Sequence, residues 1–252
     1  TESVSLQGGY SKRVSRPGLW DLNPFFNHRN DYNIRVGNPD LKPEYTDSYE
    51  IMSIFIFGKA SINSGVYHRY TTDVEENVTY FEDNVSITRP ENFGTNNTTG
   101  FELNSKYSPL TWFSVLGDFN FNYYKRNGEF ENEIFDFSGE RWTTRMTGKF
   151  KLPKDFEIEL RGNFESSYRT VQSEISENAY ADMGIRKKIA KGKFVANFSV
   201  RDLFESRLRE SVIQDPQYSI YSKSTSGRFF TFGLSYGFGK GDAMTYSGGR
   251  RR

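Results

Sequence analysis

The chain has 252 residues, with 33 Lys and Arg against 32 Asp and Glu, no cysteine, two histidines and 17% aromatic residues. A net charge of +1 supplies no basic stripe for phosphates, which argues against a nucleic-acid partner, and zero cysteines exclude disulfides and thiolate metal sites. A mean hydropathy of −0.71, with no apolar run near the ~20 residues a membrane helix needs, excludes helical membrane spans.

Elements follow in chain order. Residues 1–10 alternate like a strand, with neither the basic start nor the apolar run of a signal peptide. A long link, Pro17–Tyr45, precedes a strand near residue 51, in which Ile51–Phe57 is apolar on both faces. One face of that strand is therefore expected to pack on another part of the protein, either a plug or an inward-folded loop. Gly58-Lys59 turns the chain into a strand centred near 66; a second long link, Tyr80–Thr98, leads to one near 104. After a turn at Ser108–Thr111, Phe113, Val115, Phe119, Phe121 and Tyr123 oppose Ser114, Asp118, Asn120 and Asn122. A third link, Asn127–Gly139, precedes Trp142, Met146, Phe150 and Leu152, set against Arg141, Arg145, Lys149 and Lys151. Beyond Pro153–Asp155, Phe156, Ile158, Leu160, Phe164 and Tyr168 oppose Glu157, Glu159, Arg161, Asn163 and Glu165. Further strands centre near 183 and 200, joined by a turn at Ala190–Gly192 and flanked by links at Val171–Asn178 and Glu210–Tyr218. The last strand carries Phe230, Phe232, Leu234, Tyr236 and Phe238 on one face.

This alternation persists for ten to fifteen residues per strand, whereas sandwich strands run ~5–6. Membrane strands need ~9–11 tilted residues, apolar towards lipid and polar towards the lumen. The expected fold is all-β, a transmembrane antiparallel up-and-down barrel with about ten strands present over residues 1–238. Short turns face the periplasm and long links the exterior, so odd strands rise and even strands fall. Residues 239–252 are expected to be a flexible basic periplasmic tail.

Three stretches are recognisable: Tyr10 to Pro17 with Asp21-Leu22-Asn23-Pro24-Phe25, then Gly37-Asn38-Pro39-Asp40-Leu41-Lys42-Pro43-Glu44, then Ser48-Tyr49-Glu50. Together they resemble TonB-dependent outer-membrane receptors, and Thr99-Gly100-Phe101-Glu102-Leu103 is similar to that family's next descending strand. The ending from Phe232 to Lys240 is similar to the Bacteroidetes-type branch. The resemblance implies a 22-stranded barrel of which this is the C-terminal part, closed by an N-terminal plug domain that lies outside this sequence. It also implies import of a scarce ligand, driven by the inner-membrane Ton complex through that plug. The chain opens in mid-strand, which is read as an artificial start. Pro39 and Pro43 fix φ and push Asn38 and Lys42 into extended geometry, so the motif reads as a stiff, structural return into the wall. The aromatic last strand looks like the signal read by the barrel-assembly machinery, and outer-membrane lipid is the remaining expected partner.

Candidate chemistry is sparse. His28 and His68 lack a nucleophile and acid in register, since Asp73 and Glu75 lie ~17–23 Å along the strand from His68. No enzyme, metal or cofactor is expected. The aromatics of the first link are the ligand-contact candidates: Trp20, Phe25, Phe26 and Tyr32, with His28 and Arg29. Such a cluster forms either a small core or a receptor surface, and its place in the motif favours packing. Arg141, Arg145, Glu157, Glu159 and Arg161 are expected to face the lumen as a charge-paired, hydrated ladder. Tyr80, Phe81 and Trp112 read as interfacial girdle residues. The competing reading is a passive channel or a small stand-alone barrel with a structural or adhesive role.

Overall fold

The structure, a computed structural model, describes residues 3–25, 27–30, 32–130, 133–214 and 218–238, the side chains of 27–30, 130 and 133 excepted. Strand β1 (Ser3–Ser15) leads through a single helical turn α1 (Leu19–Leu22) to the short strands β2 (Asn27–Asn30) and β3 (Asn33–Arg35). Long strands follow: β4 (Glu44–Phe57), β5 (Ala60–Glu82), β6 (Val85–Leu110), β7 (Phe113–Phe130), β8 (Glu133–Leu152) and β9 (Phe156–Glu165). The rest are β10 (Tyr168–Arg169), β11 (Ser173–Ile175), β12 (Asn178–Ile189), β13 (Phe194–Arg201), β14 (Leu208–Gln214), β15 (Ser219–Thr225) and β16 (Phe229–Tyr236). No helix is long and apolar enough to cross a membrane.

Ten strands form one antiparallel wall in the order β1-β4-β5-β6-β7-β8-β9-β12-β13-β16, in agreement with the about ten expected, and the expected centres near 51, 66, 104, 183 and 200 fall inside β4, β5, β6, β12 and β13. Among the described residues β1 and β16 do not pair with each other, so the wall is open. Register carries the alternation from strand to strand. Phe101, Phe121 and Trp142 are successive partners across β6, β7 and β8, and Phe198 pairs Phe232 across β13 and β16. One face is therefore an aromatic and aliphatic surface, with Phe101, Trp142, Phe230 and Phe232 all exposed, as a lipid-facing surface must be. The opposite face carries Glu102, Asn120 and Arg141 in neighbouring rows.

Two expected links prove to be strand. β5 runs 23 residues and β6 26, far beyond the ~9–11 that cross a bilayer, so their outer halves project as a hairpin through most of Tyr80–Thr98. The hairpin closes at Asp83-Asn84, with φ of 48° and 65°, the positive pair that a type I′ turn demands. The span Asn127–Gly139 is likewise largely strand, with Asn127 opposite Asp136 and Tyr124 opposite Gly139. β7 pairs with β6 only as far as Thr95. At that level Gly94, at φ 46°, brings its backbone against the next strand; a Cβ there would lie 2.0 Å from the Asn127 carbonyl. Past this kink β3 takes over the free edge of β6 in parallel, Ile34 opposite Ile87.

The first link therefore docks on the projecting hairpin instead of looping through solvent. Leu41, Val74, Val78, Ile87 and Phe93 supply five of the nine buried apolar side chains among the described residues, so this rim is the best-packed part of the chain. Gly37 of the motif is pressed against the Asn23 backbone, where a Cβ would sit 2.5 Å from the Asn23 carbonyl oxygen. Asn38, 4% exposed, donates to the Pro90 carbonyl at 3.2 Å and to Glu91 Oε2 at 3.0 Å, while its own Oδ1 accepts from the Asp40 N–H. The motif is a structural clamp between link and hairpin.

The apolar run in β4 lies on both faces of the wall, and the plug or inward-folded loop expected to cover one of them is not found among the described residues. Ile51, Phe55 and Phe57 align with Val66, Ile62 and Ala60 on the lipid side, while Met52, Ile54 and Ile56 project from the polar side. Ile54 and Ile56 remain exposed there among the described residues.

Candidate functional site

Two other links form structure of their own. β10, β11, β14 and β15 make a separate four-stranded sheet, so Val171–Asn178 and Glu210–Tyr218 contain strands. The sheet is launched from the wall at Asp202, only 1% exposed and at φ 56°. The Asp202 carboxylate accepts the backbone N–H groups of Ser206 and Arg207, and its own N–H donates to Asp182. This sharp turn sets the Arg207 guanidinium over the Tyr180 ring, 4.6 Å from its centroid.

The far side of the sheet is fastened to the projecting hairpin. The Gln172 side-chain amide imitates a strand edge, accepting the Thr79 N–H at 2.8 Å and donating to the Thr79 carbonyl at 3.2 Å. Tyr218 adds its hydroxyl to the same carbonyl and stacks edge-on against Phe81, ring centroids 4.8 Å apart. The Val171 N–H donates to Glu76, which also pairs with Arg126. Tyr124 closes the row, its hydroxyl bonding both the N–H and the carbonyl of Arg169. The sheet thus roofs the polar face of the wall. Phe81 serves this roof contact, which corrects its reading as a membrane girdle residue: the hairpin carries it past the span. Tyr80 sits in the same projecting segment, whereas Trp112 lies at the opposite end, beside Phe113 in the β7–β8 half of the wall.

Between roof and wall lies a cavity of about 660 Å³. The wall contributes Glu102 and Asn104 from β6, Asp118 and Asn120 from β7, Thr143 and Arg145 from β8, Asn163 and Glu165 from β9, and Asn178 and Tyr180 from β12. The roof contributes Arg207 and Arg209 with Ser224 and Ser226. Arg145 donates to Asn163 Oδ1 at 3.2 Å, and Glu165 is held by Arg141 with Arg209 3.9 Å away. Arg141 also stacks over Tyr168, 4.2 Å from its centroid. Two polar atoms of this lining are buried and without a hydrogen-bond partner, Asn163 Nδ2 and Asn178 Oδ1. The lining is mainly polar, unlike the mostly apolar pockets that hold drug-sized ligands, so a ligand held here must itself be polar or charged.

The expected site residues divide. Arg145 lines the cavity and Arg141 braces it through Glu165. Glu157, Glu159 and Arg161 lie lower on the same face and pair as a ladder: Glu159 with Lys149 at 3.2 Å and Arg161 at 2.7 Å, Glu157 with Arg186 at 3.5 Å. Trp20, Phe25 and Tyr32 are 70–79% exposed at the outer rim and do not reach the cavity. Packing was the favoured expectation for them; the rim core is instead built from aliphatic residues and Phe93, because β3 and the motif occupy the groove. Phe26 and the side chains of His28 and Arg29 lie outside the described residues, as does the expected tail 239–252. His68 sits on the lipid-side face, its Nδ1 2.8 Å from the Thr99 hydroxyl. Among the described residues no group of three or more His, Asp or Glu side chains has metal-holding geometry.

Alternation alone marks Asn104, Asn120 and Asn163 as members of the polar face. Arg207 and Arg209 carry no such signal, since the roof's register is set by Asp202 and by contacts some 90 residues distant in sequence, such as Thr79 with Gln172.

No curated protein matches the chain at a significant level. The model of the outer membrane protein beta-barrel family matches residues 1–236, which include the whole described wall. Ten antiparallel strands with one apolar face, short turns at one end and structured links at the other agree with that match: the chain belongs to the outer membrane protein beta-barrel family and resides in the outer membrane of a Gram-negative bacterium.

Proposed function

We propose that this chain forms C-terminal wall strands of a TonB-dependent receptor that imports a scarce ligand. The observation that carries the reading is the polar cavity held between the polar face of the wall and the second sheet. A sheet fastened over the polar face supplies the surface on which a receptor captures ligand before transport. Two further features favour it. An open ten-strand wall would leave unpaired backbone groups in lipid, a cost that more strands of the same barrel remove. Met52, Ile54 and Ile56 place an apolar strip on the lumen side of β4, a surface suited to an internal plug domain. In this reading the plug moves under force from the inner-membrane Ton complex and releases the ligand inward. The barrel-assembly machinery inserts the wall, and no residue has a catalytic part.

The test is the size of the native gene product in purified outer membranes, probed with an antibody against residues 127–139 in heated and unheated samples. The expected band is several-fold larger than the 29.2 kDa of this chain. A heat-shifting band at this chain's own mass would instead establish a small stand-alone barrel with a structural or adhesive role, and the transport reading falls.

A further inference from the structure

The cavity is electrically polarised. On the wall side Glu102 and Asp118 carry carboxylates with no ion-pair partner among the described residues, while Arg145, opposite Asp118 in register and donating to Asn163, offsets one of these two charges. On the roof side the Arg207 guanidinium also lacks a carboxylate; it rests on Tyr180. Among the residues that line the cavity, the carboxylate that reaches the roof is Glu165, which already serves both Arg141 and Arg209. The two sides thus hold net charge of opposite sign, unneutralised by each other.

This pattern discriminates between ligand classes. A simple anion would meet Arg207 but be repelled by Glu102 and Asp118, and a simple cation meets the reverse. A neutral sugar would leave both charges uncompensated. It also lacks an open aromatic face to stack on, because Arg207 covers the Tyr180 ring. A ligand with a cation at one end and an anion at the other satisfies both walls. A short peptide with free termini is such a ligand, its two charged ends held apart by the backbone between them.

We propose that the cavity between the wall and the roof sheet binds a short peptide with free termini, its ammonium at Glu102 and Asp118 and its carboxylate at Arg207. The assignment names the ligand class of the receptor reading and rests on it, but its evidence is the cavity and not the energy coupling. A volume of about 660 Å³ falls in the range of small-ligand pockets and selects peptides of a few residues over protein segments.

The test is equilibrium dialysis of the native full-length protein, in detergent, against a mixed-sequence tripeptide library with free termini. The same library N-acetylated, the same library C-amidated, and a neutral oligosaccharide mixture run in parallel, with retained ligand quantified by mass spectrometry. Retention of the free library is expected, reduced at least tenfold by either blocking group. Glu102→Gln with Asp118→Asn should abolish discrimination against acetylation while keeping that against amidation. Arg207→Gln should do the converse, and Arg207→Lys should restore preference for a free carboxylate. Heat-shifted mobility in the gel confirms that each variant is folded. No retention of free peptides, equal retention of blocked ones, or retention of the oligosaccharides instead would overturn the proposal, and the unsubstituted protein alone decides this. Failure of the receptor reading registers separately, as a band of the wrong mass.

Discussion

Replacing Asn38 with Ala tests whether the Gly-Asn-Pro motif is a clamp. The substitution deletes a side-chain donor to the Pro90 carbonyl, a charge-assisted donor to Glu91 and the acceptor for the Asp40 N–H. A neutral hydrogen bond contributes ~0.5–1.5 kcal/mol net and one to a charged group ~1.5–3 kcal/mol. Asn38 is 4% exposed, so water does not readily replace these partners. Allowing for the partial exposure of Glu91 and Asp40, the expected loss is about 3 kcal/mol, confined to the rim. Global unfolding is a poor readout, because barrels often denature irreversibly. Hydrogen exchange of residues 85–92 reports the local opening, and about 3 kcal/mol corresponds to roughly a hundredfold faster exchange. Asn38→Asp should be at least as damaging, since it retains the acceptor but sets a carboxylate against Glu91. Unchanged exchange over 85–92 in Asn38→Ala would refute the clamp.

Gln172→Ala removes both bonds to the Thr79 backbone, and should speed limited proteolysis within 208–225 several-fold while the heat-shift midpoint of the wall stays put. Lys149→Ala breaks the pair with Glu159, but the lysine side chain is 47% exposed; the loss should stay below ~1 kcal/mol, with no resolvable change in the denaturant midpoint. Burial, reinforced by the Asp21 and Glu44 carboxylates and opposed by Arg35, raises the Glu75 carboxyl above its ordinary range. Folded rim therefore holds this proton more tightly than unfolded chain does. Its stability should fall as pH climbs from the ordinary carboxyl value through the raised one, and Glu75→Gln should flatten that part of the hydrogen-exchange profile over 73–95.

The wall was legible because lipid and lumen impose opposite chemistry on alternate residues. Rows such as Phe101, Phe121 and Trp142 print that demand directly into the sequence, and the turn at Gly58-Lys59 bounds it. The signal stops where the strands leave the bilayer. Between Val74 and Asn92 both faces of the hairpin meet water, the roof or the first link, so the sequence loses its clean alternation and reads as a loop. Pro90 strengthens that misreading, because proline removes a ladder donor. It is tolerated opposite Asn77 in a hairpin with one neighbour at that point. Asp83-Asn84 was the available clue: two adjacent residues suited to positive φ, between β-prone segments, mark a tight hairpin.

The cavity was illegible for a different reason: it belongs to two sheets with separate origins. Wall residues such as Asp118 and Asn163 inherit their direction from parity, each fixed by its neighbours to within one residue. Arg207 inherits its direction from a single buried turn at Asp202, which the alternation of β13 only approaches, and from the docking of Gln172 against Thr79 on the other side of the site. The two halves of the charge pattern are thus set by unrelated contacts. A roof fastened by the Gln172 amide, the Tyr124 and Tyr218 hydroxyls and the Glu76 carboxylate, instead of a continuous ladder, can detach without disturbing a single ladder hydrogen bond of the wall. This separation lets a rigid wall carry one charge and a releasable roof the other, so that detaching the roof takes the guanidinium away from the ligand while Glu102 and Asp118 stay in the lumen.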